Sequence, residues 1–366
     1  MSERTKAAVF IWSLVGVSVL FYVLTPLVRL AWWPFSSLTS VYTSLAYLTA
    51  VHVVLTQFVY FDRPSYQVIE RHRLRFFVAV PLFMLAVILS IFSGQKVLLL
   101  IFFMYFGWWS YWHYQKQHYG VFCFLKAYCG LRPAPREKFV ILAATVPAML
   151  AIIPIVLAAH PLPQMKFIAD HADGINAVAT GVLLLVLLTG VVAAVQAFKA
   201  SAGRPLTYRL LPAVFLVFLA SNYWPFFVVD ASVAGVMVTG GHGLQYIVFM
   251  AVYAFNRTTE KTAESPSQVA WRLFRGFVPV ALMFVLGIAV WEICNTWLPT
   301  QRIFGYDNSA TNGALGSLAI GITGMHYIQD GVLWRLSDRH SRNLAYEKYP
   351  FLFKPISSSG AGSAAG

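Results

Sequence analysis

The stretch INAVATGVLLLVLLTGVVAAVQAF, residues 175–198, runs for 24 positions without a charged side chain. About 20 helical residues of this kind span a hydrocarbon core of about 30 Å, so the segment reads as a transmembrane helix. The same pattern recurs on both sides of it. Apolar runs between polar breaks fall at about 7–28, 38–61, 76–93, 97–117, 139–159, 175–198, 210–229, 232–255, 276–294 and 313–334, ten candidate spans in all.

Composition points the same way. Of 366 residues, 58% are hydrophobic and only 11% charged, less than half of the roughly 25% usual in soluble domains, and the mean hydropathy is +0.66. An ordinary soluble protein is excluded. The expectation is an all-α polytopic transmembrane helix bundle of about ten spans, a single integral-membrane domain over residues 1–356. The closing SSSGAGSAAG, residues 357–366, is low-complexity sequence expected to be disordered.

The net charge of +13 has a topological explanation. With the N-terminus inside, the inner segments hold 23 of the 27 Lys and Arg residues, and the outer loops hold only Arg29, Lys96, Lys166 and Arg302. Cytoplasmic loops are enriched in basic residues, so both termini are expected to be cytoplasmic. Membrane lipids, rather than nucleic acid, are then the expected partners of the charge. Ser2–Lys6 leads into the first apolar run without a short apolar core and cleavage site, so the first span is expected to be retained. Cys123, Cys129 and Cys294 show no CxxC spacing and receive no role.

Nine histidines carry the chemistry. His72, His160, His171 and His340 fall in loops and read as solvated residues, whereas His52, His113, His118, His242 and His326 fall within or at the end of spans. An ionisable side chain inside a membrane is costly and is a functional candidate by default. Spans two, four, eight and ten run in the same direction, and His52, His113, His242 and His326 lie about 14, 16, 10 and 13 residues from their outer ends. At about 1.5 Å per residue these depths agree within about 9 Å, so four imidazoles on four helices can converge on one centre. A lone intramembrane histidine can also serve only as a hydrogen-bonding partner of a neighbouring helix.

Polar residues follow the histidines at helical spacing in WHYQKQHYG (112–120), GGHGLQY (240–246) and GMHYIQDG (324–331). Gln117 is four after His113, Gln245 three after His242, and Gln329 and Asp330 three and four after His326. Such spacings share a helix face. Asp330, Gln117 and Gln245 are expected to orient ligating imidazoles, and Tyr246 is read as either a proton donor or a packing residue. His113 and His118 are about 140° apart on a regular helix and cannot both face one metal. Depth favours His113 and leaves His118 an entry-site, second-metal or interfacial role.

Asp330 is the only carboxylate near the histidine level. A histidine-rich, carboxylate-poor donor set suits iron, zinc or copper and argues against calcium or magnesium. It lacks the core glutamates of di-iron bundles and the HExxH of zinc proteases, and the HxxxH and HxxHH boxes of membrane desaturases are absent. Span four also carries Tyr105, Phe106, Trp108, Trp109, Tyr111, Trp112, Tyr114 and Tyr119, read as an interfacial belt or a substrate channel. Ser221–Pro225 (SNYWP) interrupts span seven and can line a cavity.

Isolated histidines on separate spans, at His52, His113, His242 and His326, give the chain an architecture that resembles the bacterial membrane β-carotene-cleaving dioxygenases. The resemblance implies a histidine-held non-haem iron acting with oxygen on a long isoprenoid. The leading expectation is therefore a multi-pass membrane oxidoreductase working on a lipophilic small molecule, with an electron donor as a further candidate partner. Two alternatives remain open. The histidines can be axial ligands of haem in an electron-transfer protein, or, with Asp330, can relay protons in a coupled transporter.

Overall fold

The computed structural model describes residues 2–29, 51–57, 62–92, 96–159, 166–228, 231–256 and 308–353, with six isolated helical positions between 278 and 289. The described residues are all-α and include no strand. Most of the ninth predicted span, the first part of the second, His160, Cys294 and the tail lie outside them.

The α-helices given in full among the described residues are α1 (Glu3–Arg29), α2 (Arg63–Arg71), α3 (Val80–Phe92), α4 (Lys96–Tyr128), α5 (Pro135–Ala143), α6 (Thr145–Ala159), α7 (Lys166–Asp170), α8 (Ala172–Ala200), α9 (Leu206–Ala220), α10 (Ala231–Phe255), α11 (Asn308–Leu333), α12 (Arg339–Lys348) and α13 (Pro350–Phe353). Residues 51–57 form a further helical segment, and a π-turn over Arg75–Ala79 leads into α3.

Helix α4 runs through the middle. It touches α1, α10, α3 and α11 on one side and α5, α6 and α9 on the other. Its 33 residues continue well past the predicted end at 117, because the sequence from His118 to Tyr128 contains no proline and no turn signal. The helix stops at Gly130, whose φ of +67° is left-handed. There Leu131 N–H donates to Lys126 O at 2.8 Å and Gly130 N–H to Ala127 O at 2.9 Å. This pair of bonds closes the last turn, and glycine makes the positive φ cheap. Arg204 covers the cap, donating from Nη2 to Gly130 O at 3.1 Å.

Proline sets two other breaks. The predicted fifth span starts earlier, at Pro135, and is interrupted at Ala144. Pro147 has no N–H and its ring crowds the carbonyl four residues back, which ends the first stretch there. In the predicted seventh span, α9 ends at Ala220 and the chain passes through a turn into a 3₁₀ segment, Trp224–Phe227. Gln115 on α4 takes over the freed Leu219 carbonyl with a 2.9 Å bond from Nε2.

Small residues let the helices close in. A Cβ on Gly324 would sit 2.1 Å from Phe83 Cε1, so α11 lies against α3 with nothing between them. Gly190 plays the same part between α8 and Ala220 of α9, at 2.5 Å. On α8 the buried face joins the small residues Ala179, Gly190, Ala193 and Ala194 to Leu183 and Val186, while Leu184, Leu185, Leu188, Val192 and Val195 are exposed. That is the inverse of a soluble surface helix, whose outer face is polar. Among the described residues, two stretches, Pro135–Pro154 and Ala172–Ala200, are long and apolar enough to cross a membrane.

One end of the bundle is tied by buried ion pairs. Lys126 on α4 donates to Glu137 on α5 at 2.8 Å. Lys348 on α12 meets Asp62 at 3.2 Å, and Asp62 also accepts from Ser65 and Tyr253.

Candidate metal centre

Four imidazoles from four segments meet in the interior: His52 from the 51–57 segment, His113 from α4, His242 from α10 and His326 from α11. His52, His242 and His326 are 0% exposed and His113 8%. Ring centres are 4.8 Å apart for His52 and His242, 4.7 Å for His52 and His326, 5.0 Å for His113 and His242, and 5.1 Å for His113 and His326. His242 and His326 are 6.3 Å apart. The imidazoles therefore alternate around a closed ring, with His242 and His326 facing one another across it.

These spacings can be tested against a metal. A nitrogen about 2.1 Å from an ion puts the ring centre about 3.2 Å away, so ring centres lie about 4.5 Å apart for ligands at right angles, about 5.2 Å at the tetrahedral angle and about 6.4 Å for opposed ligands. The four short distances fall within the adjacent range and the long one matches opposed ligands. Among the described residues, two groups could hold a metal ion: His52, His242 and His326, and His113, His326 and Asp330, with donor atoms within 4.8 Å of one another in each. Nε2 of His113, both nitrogens of His242 and Nε2 of His326 are buried without a hydrogen-bond partner among the described residues. Buried polar atoms are rarely left so, and a cation would satisfy them.

A hydrogen-bonded chain fixes how His326 is presented. Tyr246 Oη donates to Asp330 Oδ1 at 3.0 Å, and Thr56 Oγ1 donates to Tyr246 Oη at 2.9 Å. With its proton so used, Thr56 Oγ1 accepts from His326 Nδ1 at 2.5 Å. Nδ1 therefore carries the hydrogen and Nε2 the lone pair that faces the centre. The other Asp330 oxygen, Oδ2, lies 3.6 Å from His326 Nε2 and 3.9 Å from His113 Nε2. Asp330 thus closes the chain and borders the donor set itself.

Aromatic rings wall the site. Tyr327 stacks on His113 with centres 4.2 Å apart, and Tyr114 lies over His242 at 4.4 Å. The two tyrosine hydroxyls are 3.1 Å apart.

Other sequence candidates go elsewhere. Gln117 donates to the His242 carbonyl at 2.9 Å and to Gln245 Oε1 at 3.0 Å, and Gln245 donates to His118 Nδ1 at 2.9 Å and to Ser18. Neither amide has a hydrogen bond to the four imidazoles. His118 stands apart from the four and lines a cleft. Gln329 bonds Gln57 at 3.0 Å rather than His326. Thr56 and Tyr327 received no role from the sequence. Thr56 lies one helical turn after His52, a signal that its small hydroxyl in an apolar run does not advertise.

No protein-family model, no curated protein and no solved structure matches the chain.

Proposed function

We propose that the chain is a multi-pass membrane oxidoreductase in which His52, His113, His242 and His326 hold a non-haem iron that acts with oxygen on a lipophilic substrate. The observation that carries the proposal is the closed ring of four buried imidazoles at ligand spacing. Nitrogen and carboxylate donors with no thiolate suit iron, with zinc or copper as the alternatives. Such a metal supplies coordination positions at which oxygen and a substrate are activated. The protein's own contribution is a water-poor enclosure. Thr56 and Tyr246 set the His326 tautomer, Asp330 borders the donor atoms, and Tyr114 and Tyr327 pack the imidazoles in place.

The membrane setting has separate support. Exposed leucines and valines on α8, with Leu82, Leu85 and Leu89 on α3, form apolar outer surfaces that suit lipid. The distribution of basic residues supports cytoplasmic termini for the ten apolar runs, and both buried ion pairs belong to segments assigned to the cytoplasmic end. A long isoprenoid, the substrate class that the resemblance implies, suits entry from the bilayer.

Haem is the weaker alternative. His242 and His326 are 6.3 Å apart and would be the residues to hold it, but His52 sits 4.7 to 4.8 Å from both and would obstruct a macrocycle between them. The transporter alternative has the Asp330 chain in its favour, although that chain ends on His326 rather than leading across the protein.

Metal analysis and an absorption spectrum of detergent-purified protein test the proposal, alongside His242→Ala and His326→Ala. Near-stoichiometric iron without a Soret band, lost in both variants, is the expected result. Absence of transition metal even after anaerobic reconstitution with ferrous ion would overturn it.

A further inference from the structure

Four exposed cations stand at one level of the chain. Arg75, Lys116, Lys138 and Arg335 each fall within one residue of the inner end of an apolar run, at 76, 117, 139 and 334, and all four are exposed. They come from the π-turn before α3, from α4, from α5 and from the residues just after α11. Packing gathers these segments, because α2 and the π-turn both lie on α11, and α4 touches α5 and α11. Burial, and after it the charges of Arg75, Arg71 and Arg335, hold the His72 imidazole below its usual range, with Asp338 acting against them. Lys116 is within electrostatic reach of Arg335 and of Lys138. Arg335 is therefore the middle of a basic band that runs from Arg71 and Arg75 to Lys116 and Lys138.

The band is not neutralised from within. Among the described residues, none of these five cations is paired with a carboxylate. Asp338 lies beside them, but its carboxylate accepts from the Ser341 and His340 N–H groups of α12. Lys116 and Lys138 are steadied instead by aromatic rings, each 5.7 Å from a ring centre, of Trp112 and Tyr119 respectively. Exposed apolar side chains adjoin the cations in sequence, Leu74, Phe77 and Val78 beside Arg75, and Phe139 beside Lys138. Cations at the inner ends of spans serve to orient a membrane protein. A gathered and unpaired set beside exposed apolar groups also matches a phospholipid, with phosphate on the cations and acyl chains on the apolar side. We infer that the band is a binding site for an anionic phospholipid, its phosphate held by Arg335 with Arg75, Lys116 and Lys138 around it. The guanidinium groups of Arg75 and Arg335 suit this role, since their fork of donors matches phosphate oxygens. The inference rests on the membrane setting proposed above and is independent of the metal.

Native mass spectrometry of the full chain in detergent, titrated with dioleoyl phosphatidylglycerol, dioleoyl phosphatidylcholine or glycerol 3-phosphate, tests the inference. The expected result is tighter binding of phosphatidylglycerol than of phosphatidylcholine, with glycerol 3-phosphate, a phosphate without acyl chains, far weaker than either. Arg335→Gln and Arg75→Gln should each weaken phosphatidylglycerol about fivefold, the factor that one cation near a lipid surface contributes, and leave phosphatidylcholine unchanged. Lys199→Gln, which removes a cation from the last turn of α8, should alter neither lipid. Melting curves of the variants check that each is folded. Equal affinity for the two lipids, or the same phosphatidylglycerol affinity in wild type and both arginine variants, would overturn the site and leave the cations a topological role alone. Glycerol 3-phosphate bound as tightly as phosphatidylglycerol would overturn the lipid in favour of a soluble phosphate. Protein that stays dispersed without detergent and binds neither lipid would refute the membrane setting together with the site, and the metal content of the same samples reports separately on the iron reading.

Discussion

Thr56 and His326 are joined by a 2.5 Å hydrogen bond that leaves Nε2 as the only nitrogen of His326 able to bind a metal. Thr56→Val should keep the shape and delete the bond. Partners that orient a ligating imidazole typically contribute 10- to 100-fold in metal affinity, and that loss is expected here, measured by competition with a chelator. Thr56→Ser should restore most of it.

Single alanine substitutions of His52, His113, His242 or His326 should each lower metal content at least about tenfold, because each removes one donor from a buried ring that water cannot readily refill. His118→Ala, one helix turn further along α4, should leave it unchanged. Elemental analysis of the five purified variants decides between a ring of four and a looser cluster.

Lys348 and Asp62 are both almost fully buried and 3.2 Å apart. Removing one partner strands the other charge, a loss of about 3 to 5 kcal/mol, so Lys348→Met should unfold at clearly lower temperature or denaturant. Combining it with Asp62→Asn should recover part of the loss, as read from the melting temperatures of the single and double variants.

Gly324→Ala should destabilise the α11 to α3 contact by about 1 to 3 kcal/mol, since the added methyl overlaps the ring of Phe83. Phe83→Leu in the same chain should relieve the overlap. A melting curve that shows no additional loss in Gly324→Ala would mean that the ring has room to turn.

Asp338 caps α12, accepting from Ser341 N–H and His340 N–H at 3.0 Å each. The backbone bond from Ser341 above all holds its carboxyl below the usual 3.8. A carboxylate depressed in the folded state stabilises above its unfolded value, and the gain is lost as pH falls through the folded one. Asp338→Ala should therefore cost about 1 kcal/mol at neutral pH, and the gap from wild type should narrow progressively below pH 3.8. Paired melting curves across that interval check the sign.

The histidine level was readable from the chain because depth in parallel spans is a count of residues, and the count needs no knowledge of packing. Rotation about each helix axis does. Gln117 and Gln245 share faces with their histidines in the periodic pattern, but Gln117 meets the His242 carbonyl and Gln245, and Gln245 meets His118 and Ser18 of α1 instead. Tyr114 looked like one more ring of an aromatic belt, and only the crossing of α4 over α10 lays it on His242. A helix end was legible where proline marks it at Ser221–Pro225, whereas the start at Pro135 lies before the apolar run that begins at 139. The course of α4 was illegible at 117, where a polar triplet, Lys116, Gln117 and His118, resembled an exit from the apolar layer, although the helix runs on and His118 is buried.

Helix α4 also has a mechanical meaning. It has no proline between Lys96 and Tyr128, and His113, His118 and Lys126 lie along it within about 20 Å. A stiff rod of that kind transmits axial displacement with little loss. Any protein or lipid that pushes on the Gly130 turn would shift His113 in the histidine ring and the buried Lys126 together, as two stations on one shaft.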